Sequence, residues 1–301
     1  MSSAVLRVLL YYDLFNYPLT VEEIRRHCSR HHCTVEEVQQ TLNALCEAEL
    51  IFNYEHFYGL KKDAAVFERR LRGNQAAEEI MHKARKRAAF IAGFPFVRSV
   101  CVSGSLSKDY FDETTDIDFF IITEPGRLWI CRSFLIFFKK VFLFNSKKYF
   151  CVNYFIGSET LEIPDRNIFT ATELITLLPF YNRDLYEQFF NANSWVKEFY
   201  PNSKPRQNPL MNAVGHHPFR KFTESIINVL GGKALDRFLY RFTHDHWKKK
   251  FSTLNKDEFE VNMRSKKNVS KHHPQGFQFR VLNLFEENCR AFEERHQLSL
   301  H

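Results

Sequence analysis

Apolar positions along this chain follow two periods, and the switches between them set the expected elements. Val5 to Phe15 repeats apolar residues at helical spacing and stops before Asn16-Tyr17-Pro18. Thr20-Val21-Glu22-Glu23 and Thr34-Val35-Glu36-Glu37 each read as a capping box: the threonine caps free N–H groups and the glutamate three residues on reciprocates. Helices are therefore expected over about 21–28 and 35–48. After Glu49 the run LIFNYEHFYGL alternates as a two-stranded hairpin turning near Asn53 to His56. Helical periodicity resumes from Asp63 to Gly93, with Gly73-Asn74 as a break point and Pro95 beyond its end.

The period then shortens. Val100 to Ser103 and Thr115 to Ile122 read as strands on either side of Gly104-Ser105, followed by a helix over about 127–144 and a strand over Tyr149 to Ile156. Beyond the boundary Glu162-Ile163-Pro164-Asp165, Thr170-Ala171-Thr172-Glu173 opens a helix that Pro179 kinks or ends. Further helical segments are expected at 183–191, 218–230 and 233–249, with a surface loop over Pro201 to Pro209. This order implies an α/β (α+β) class: three helices and a hairpin over 1–62, a connecting helix over 63–94, a small mixed sheet with helices over 95–165, and a mainly helical remainder over 166–301.

Composition refines this picture. A length of 301 residues suits two or three units with separate cores, and with 45% hydrophobic and 26% charged residues disorder is not expected over most of the chain. Thirty-two phenylalanines imply aromatic-rich cores, with Trp195 and Trp247 among the core residues. A net charge of +7 favours anionic partners, whether nucleotide, nucleic acid or phosphorylated small molecule. The seven cysteines are odd in number and widely spread, so no disulfide framework is expected and a reducing, cytoplasmic setting fits. Met1-Ser2-Ser3 opens no signal peptide. Leu128 to Phe144, interrupted by Arg132, Lys139 and Lys140, is too short to span a bilayer and reads as a buried helix, so no membrane partner is expected.

The most informative stretch is Ser99 to Thr123, SVCVSGSLSKDYFDETTDIDFFIIT. Residues i and i+2 of a strand share a face, so Asp116 and Asp118 are expected to project together while Ile117 and Phe119 point into the opposite layer. Paired carboxylates repel unless a cation lies between them, and hard oxygen ligands suit Mg²⁺ or Mn²⁺, which also carry a nucleotide's phosphates. Gly104 leaves room for a phosphate to approach the backbone, and Ser105 offers N–H and hydroxyl if a helix begins there. Lys108 either reaches that phosphate or stands exposed without such a task; Asp109, Asp112 and Glu113 read as solvated turn residues.

An apolar strand, Gly-Ser, ten residues and an Asp-x-Asp flanked by apolar residues (VSGS, LSKDYFDETT, DID, FFII) resemble the nucleotidyltransferase superfamily that includes DNA polymerase β, kanamycin nucleotidyltransferase and the minimal nucleotidyltransferases. The resemblance covers roughly Phe96 to Ile156. It implies a metal-dependent enzyme that moves an NMP from an NTP to an unidentified acceptor and releases pyrophosphate. Asp116 and Asp118 would hold Mg²⁺ or Mn²⁺, and Gly104, Ser105 and Lys108 would hold phosphates. The family usually places a third carboxylate on a later strand, where this chain has Asn153. Three readings follow: Asn153 ligates the metal through its amide, Glu159 or Glu162 fills the gap, or the domain binds nucleotide without turnover. The last makes the chain a non-catalytic nucleotide-sensing or DNA- or protein-binding regulator. An antitoxin-like role beside a separate helical partner is a further alternative.

Residues 1–62 resemble a winged helix-turn-helix domain. Its third helix carries Glu36, Glu37, Glu47 and Glu49 without a Lys or Arg, so a protein partner or a packing role is favoured over DNA. His27, Cys28, His31, His32 and Cys33 match no standard zinc spacing and read as a polar loop. Lys83, Arg85, Lys86 and Arg87 form either a solvated face or a phosphate track. Val261 to Arg280, with Arg264, Lys266, Lys267, Lys271 and Arg280 and no acid, reads as an exposed loop or as a mobile one that folds over a triphosphate. His272-His273-Pro274 is too isolated for a metal site.

Overall fold

The structure is a computed structural model that describes residues 1–215, 217–272 and 276–300. His273 and Pro274 of the His272-His273-Pro274 run lie outside the described residues. The chain begins with α1 (Ser2–Asp13), α2 (Val21–His27), α3 (Val35–Glu47) and the hairpin β1 (Phe52–Tyr54) and β2 (Phe57–Gly59). Both capping boxes form: the Thr20 and Thr34 hydroxyls accept from the Glu23 and Glu37 N–H groups, and each glutamate accepts from its threonine's N–H at 2.9 Å. Caps of this kind contribute about 1 kcal/mol each.

His27 is buried, with Nε2 2.8 Å from the Tyr12 hydroxyl and Nδ1 2.7 Å from the Glu23 carbonyl. Burial pushes its imidazole down to about 3, so it is neutral here. The polar-loop reading is corrected for His27, Cys28 and Cys33, which are core residues; His31 and His32 are exposed.

α4 (Ala64–Ala92) runs on without the break expected at Gly73-Asn74. Gly73 serves a close approach instead: a Cβ there would lie 2.2 Å from the Tyr110 ring. The basic cluster on α4 is partly engaged, with Lys83 over the Tyr149 ring at 3.7 Å and Arg85 Nε donating to Asn212 Oδ1 at 3.2 Å.

The elements that follow are β3 (Val97–Ser103), β4 (Asp118–Thr123), α5 (Leu128–Phe142), β5 (Cys151–Gly157), α6 (Ile168–Thr176), β6 (Leu178–Tyr181) and α7 (Arg183–Ala192). After them come α8 (Pro218–Val229), α9 (Gly232–Lys250), α10 (Lys256–Asn262), β7 (Ser265–Lys266), β8 (Val269–Lys271) and α11 (Phe277–His296). The chain is thus a mixed α+β protein. Its main sheet has the order β6-β3-β4-β5-β8-β7, with β4 and β5 parallel and the other pairs antiparallel.

Alternation along the strands divides their side chains between two cores. Val100, Val102, Phe119 and Ile121 face α4 and α5, while Cys101, Phe120 and Ile122 face α6 and α7. A third core joins α1–α3 to the C-terminal helix, where Val281, Phe285 and Cys289 of α11 pack with Val5, Leu9 and Tyr11. Trp195 and Trp247 are buried.

Three strands come from the stretch expected to be helical. The helix around Thr170 ends at Thr176, before Pro179, which lies in β6. The strand tolerates it because β6 is at the sheet's edge, paired along β3 on one side and meeting only the bridge of Tyr181 with Asn212 on the other among the described residues. The basic segment is no loop over most of its length: β7 and β8 extend the sheet beside β5, and buried Arg264 makes a two-pronged ion pair with Asp165 at 2.6 and 2.8 Å. α5 is only half-buried, since Phe137 and Phe142 are each 62% exposed. No helix among the described residues is long and apolar enough to cross a membrane.

Candidate functional site

At one end of the sheet β3 stops at Ser103, which pairs with Asp118, the first residue of β4. Asp116 precedes the strand, which corrects the expected start at Thr115. The expected alternation survives: Ile117 and Phe119 are buried in the α4–α5 core, and Asp118 has the parity of Phe120 and Ile122 on the α6 side. Ile117 is tied across by its N–H to the Lys148 carbonyl at 2.9 Å and its carbonyl to the Cys151 N–H at 3.1 Å.

Gly104 turns the chain with φ +68, and a Cβ there would lie 2.6 Å from Asp118 Oδ2. The glycine is therefore required twice, for its left-handed backbone and for the carboxylate packed on it. After it, Leu106–Lys108 form a single 3-10 turn with Ser105 at the N-cap, its side chain making no cap bond, so the helix proposed to start at Ser105 is too short to act as an anion-binding terminus.

Four residues from elsewhere in the chain hold that turn: Tyr17, Asn74, Arg206 and, through Lys108, Glu173. The Tyr17 hydroxyl donates to the Lys108 carbonyl, Asn74 Nδ2 donates to the Asp109 carbonyl, and Arg206 donates to the Ser107 carbonyl and pairs with Asp109 at 3.3 Å. Lys108 is neither exposed nor idle: Nζ donates to the Gly104 carbonyl at 3.1 Å and to Glu173 Oε1 at 2.8 Å. Asp109 and Asp112 are engaged as well; the Asp112 carboxylate accepts from the Thr114 and Thr115 N–H groups and the Tyr110 hydroxyl.

Asn153 reaches the same place through a bulge. Phe119 pairs with Val152 and Phe120 with Tyr154, so Asn153 is the extra residue of β5, re-aimed onto the α6 side. Its Nδ2 donates to Asp118 Oδ1 at 3.0 Å. Its amide N–H therefore braces the carboxylate. Glu159 and Glu162 belong elsewhere: they follow Gly157, which pairs with Thr123 at the far end of β4, about 17 Å from Asp118 at the rise of a strand. Glu162 pairs instead with Arg166 at 2.7 Å.

The acid that does approach is Glu173 of α6. Burial pushes the Asp118 carboxyl up to about 6, with the negative charges of Asp116 and Glu173 adding to the rise and Lys108 opposing it. Lys271, on β8 beside β5, is buried with Nζ 2.9 Å from Gln278 Oε1, and burial pushes its ammonium down to about 8. Glu173 and Arg206 carry no local sequence signal, being 55 and 88 residues beyond Asp118.

No group of three or more His, Cys, Asp or Glu side chains suited to a metal ion occurs among the described residues. The donor set at the sheet end is two carboxylates and an amide. It fits a hard cation that brings phosphate oxygens of its own, as Mg²⁺ commonly does, better than one caged wholly by protein. Burial is the main cause of the raised Asp118 carboxyl, with the charges of Asp116 and Glu173 adding to it, and a cation seated there would favour the ionised form. Family models, curated proteins and solved structures contain no match to this chain.

Proposed function

We propose that this chain is a metal-dependent nucleotidyltransferase that transfers an NMP from an NTP to an acceptor and releases pyrophosphate. The supporting observation is the glycine turn packed against Asp118, with the charge of Asp116 close enough to act on the same carboxylate. Strand, glycine turn and acid pair stand in the order of a nucleotidyltransferase core, and α1–α3 with the β1–β2 hairpin stand in the order of a winged helix.

In this reading Asp116 and Asp118 hold Mg²⁺ or Mn²⁺, with Asn153 as the brace of Asp118. The bound ion would supply positive charge to the transferring phosphoryl group. Gly104 lets the turn pack against Asp118, and Gly104 and Ser105 stand beside the metal ligands, where the nucleotide's phosphates would lie. Lys108 lies one hydrogen bond from that turn and brings the nearest cation to the β- and γ-phosphates, exchanging Glu173 for them. Freed of Lys108, the Glu173 carboxylate becomes the base available to an acceptor hydroxyl.

A second reading, a non-catalytic nucleotide-sensing regulator, is favoured by two observations: an amide at Asn153 and a Glu173 already paired with Lys108. In either case the exposed side of α3, with Glu36, Glu37 and Glu47, suits a protein partner better than DNA.

The test is pyrophosphate release from each of the four NTPs with Mg²⁺ or Mn²⁺, with cell extract as the acceptor source and Asp116→Ala/Asp118→Ala as control. Release lost in the double variant supports the transferase. Metal-dependent NTP binding without release selects the sensing reading, and folded protein that neither binds nor releases overturns both.

A further inference from the structure

α8 and α9 form a helical hairpin through Gly231 whose inward side is tied to the end of α4, the start of β3 and the start of α5. Glu224 accepts from the Phe96 N–H at 2.6 Å and pairs with Arg98 at 2.9 Å, while Arg220 Nη1 donates to the Ala92 carbonyl at 2.7 Å. Asp236 Oδ1 accepts from the Trp129 and Ile130 N–H groups at 2.9 and 3.0 Å, which caps α5 from outside. Trp247 is buried against Trp129.

The outward side is apolar. Phe219, Phe222, Ile226 and Val229 recur at helical spacing along α8, and Leu235, Phe238 and Phe242 along α9, each set on the side opposite its helix's buried residues. Exposure is 75% at Phe219, 65% at Phe222, 62% at Phe238, 64% at Phe242 and 86% at Val229. With about 200 Å² for each aromatic side chain and somewhat less for each aliphatic one, the face amounts to roughly 800 Å², above the largest apolar patch of a typical soluble monomer.

Its charge selects the occupant. Glu224 and Asp236 are turned inward, so the exposed charges of the hairpin are Lys221, Lys233, Arg237, Arg241 and Lys248–Lys250, against the single exposed acid Asp245. A second copy docked about a twofold axis would bring these cationic flanks against their own kind. Phenylalanines outward with lysines and arginines along the flanks are instead the pattern of a helix lying in a lipid interface. We propose that the α8–α9 hairpin seats this protein on an anionic lipid surface, its phenylalanines entering the headgroup boundary and its cations meeting lipid phosphates. No chain crosses the bilayer in this arrangement, which differs from the absence of a membrane partner expected from the sequence.

The test is sedimentation of the full chain with vesicles of phosphatidylcholine alone or mixed with phosphatidylglycerol. Phe222→Ser/Phe238→Ser and Lys233→Gln/Arg237→Gln serve as variants, with circular dichroism and solution mass measured alongside. We expect binding to the mixed vesicles that weakens with salt. The phenylalanine pair should lower affinity about a hundredfold, about tenfold per side chain, and the cation pair about twenty-fivefold. Three results overturn the inference: folded monomer that ignores both vesicles, binding that the variants leave unchanged, or a solution mass twice 35.9 kDa that Phe222→Ser/Phe238→Ser halves. The last would identify a second copy as the occupant.

Discussion

Replacing Gly104 by alanine tests the geometry of the candidate site without recourse to activity. Two costs arise. Alanine at φ +68 adopts a left-handed conformation that disfavours L side chains by about 1–2 kcal/mol. Its Cβ would also lie 2.6 Å from Asp118 Oδ2, far inside contact distance, and Asp118 cannot swing away freely because Asn153 holds its other oxygen at 3.0 Å. Relief of such overlap costs about 1–3 kcal/mol. The expected loss is therefore about 3 kcal/mol, read as a lower urea midpoint at unchanged slope. Only the second cost depends on the carboxylate. In an Asp118→Ala background Gly104→Ala should cost about 1–2 kcal/mol, leaving a coupling energy of about 1–2 kcal/mol between the two positions. A substitution equally costly in both backgrounds, within about 0.5 kcal/mol, would refute the packing of the turn on Asp118.

Most of the remaining expectations are read from urea titrations or proteolysis, and the last from pyrophosphate release. His27 has a folded pKa of about 3, below the unfolded value, so the unfolded chain binds its proton first and stability falls as pH drops below about 6.5. The share of His27 at pH 5 is about 2 kcal/mol; His27→Gln should flatten the wild-type profile by that amount, and parallel profiles would exclude it. Gly73→Ala should cost about 2 kcal/mol by displacing the Tyr110 ring, and Tyr110→Leu in the same chain should recover part of the loss. Asp236→Ala strips two N–H groups at the start of α5 of their acceptor, with about 2 kcal/mol lost and faster proteolysis of the α8–α9 hairpin expected. Glu173→Gln should leave the fold intact and abolish acceptor-dependent pyrophosphate release; retained release would remove Glu173 from the proposed chemistry.

What could be read from the sequence was what depends on neighbours in the chain. The capping boxes at Thr20 and Thr34 are three-residue devices, and the helices they open lie within a residue of expectation. Gly104 and Asp118 were legible because the turn between β3 and β4 brings them together over a short span. Pro179 marked the end of α6 but not the strand it lies in, because β6 being an edge is a fact of the assembled sheet. β7 and β8 are two and three residues long, too short to show a period, and exist because β5 offers them a pairing partner. Asn153 was singled out for the acid it replaces, while its bulge, which aims it at Asp118, is a mismatch between two strands that neither strand encodes alone. Glu173, Arg206 and the outward phenylalanines of α8 and α9 needed the fold before their positions meant anything.

The four-sided hold on the Leu106–Lys108 turn makes the N-terminal helices part of the site's thermodynamics. Tyr17, in the link between α1 and α2, grips the Lys108 carbonyl and stacks under Arg70, whose guanidinium lies 3.7 Å from its ring and pairs with Glu23 at 2.7 Å. A partner that binds α1–α3 more tightly in one arrangement of Tyr17 than in another biases the turn, and with it affinity at Asp118. By linkage a ligand at the turn must alter that partner's affinity by the same factor. Were the proposed nucleotide and a partner of the 1–62 unit both to bind, occupancy at either end could be measured from the other.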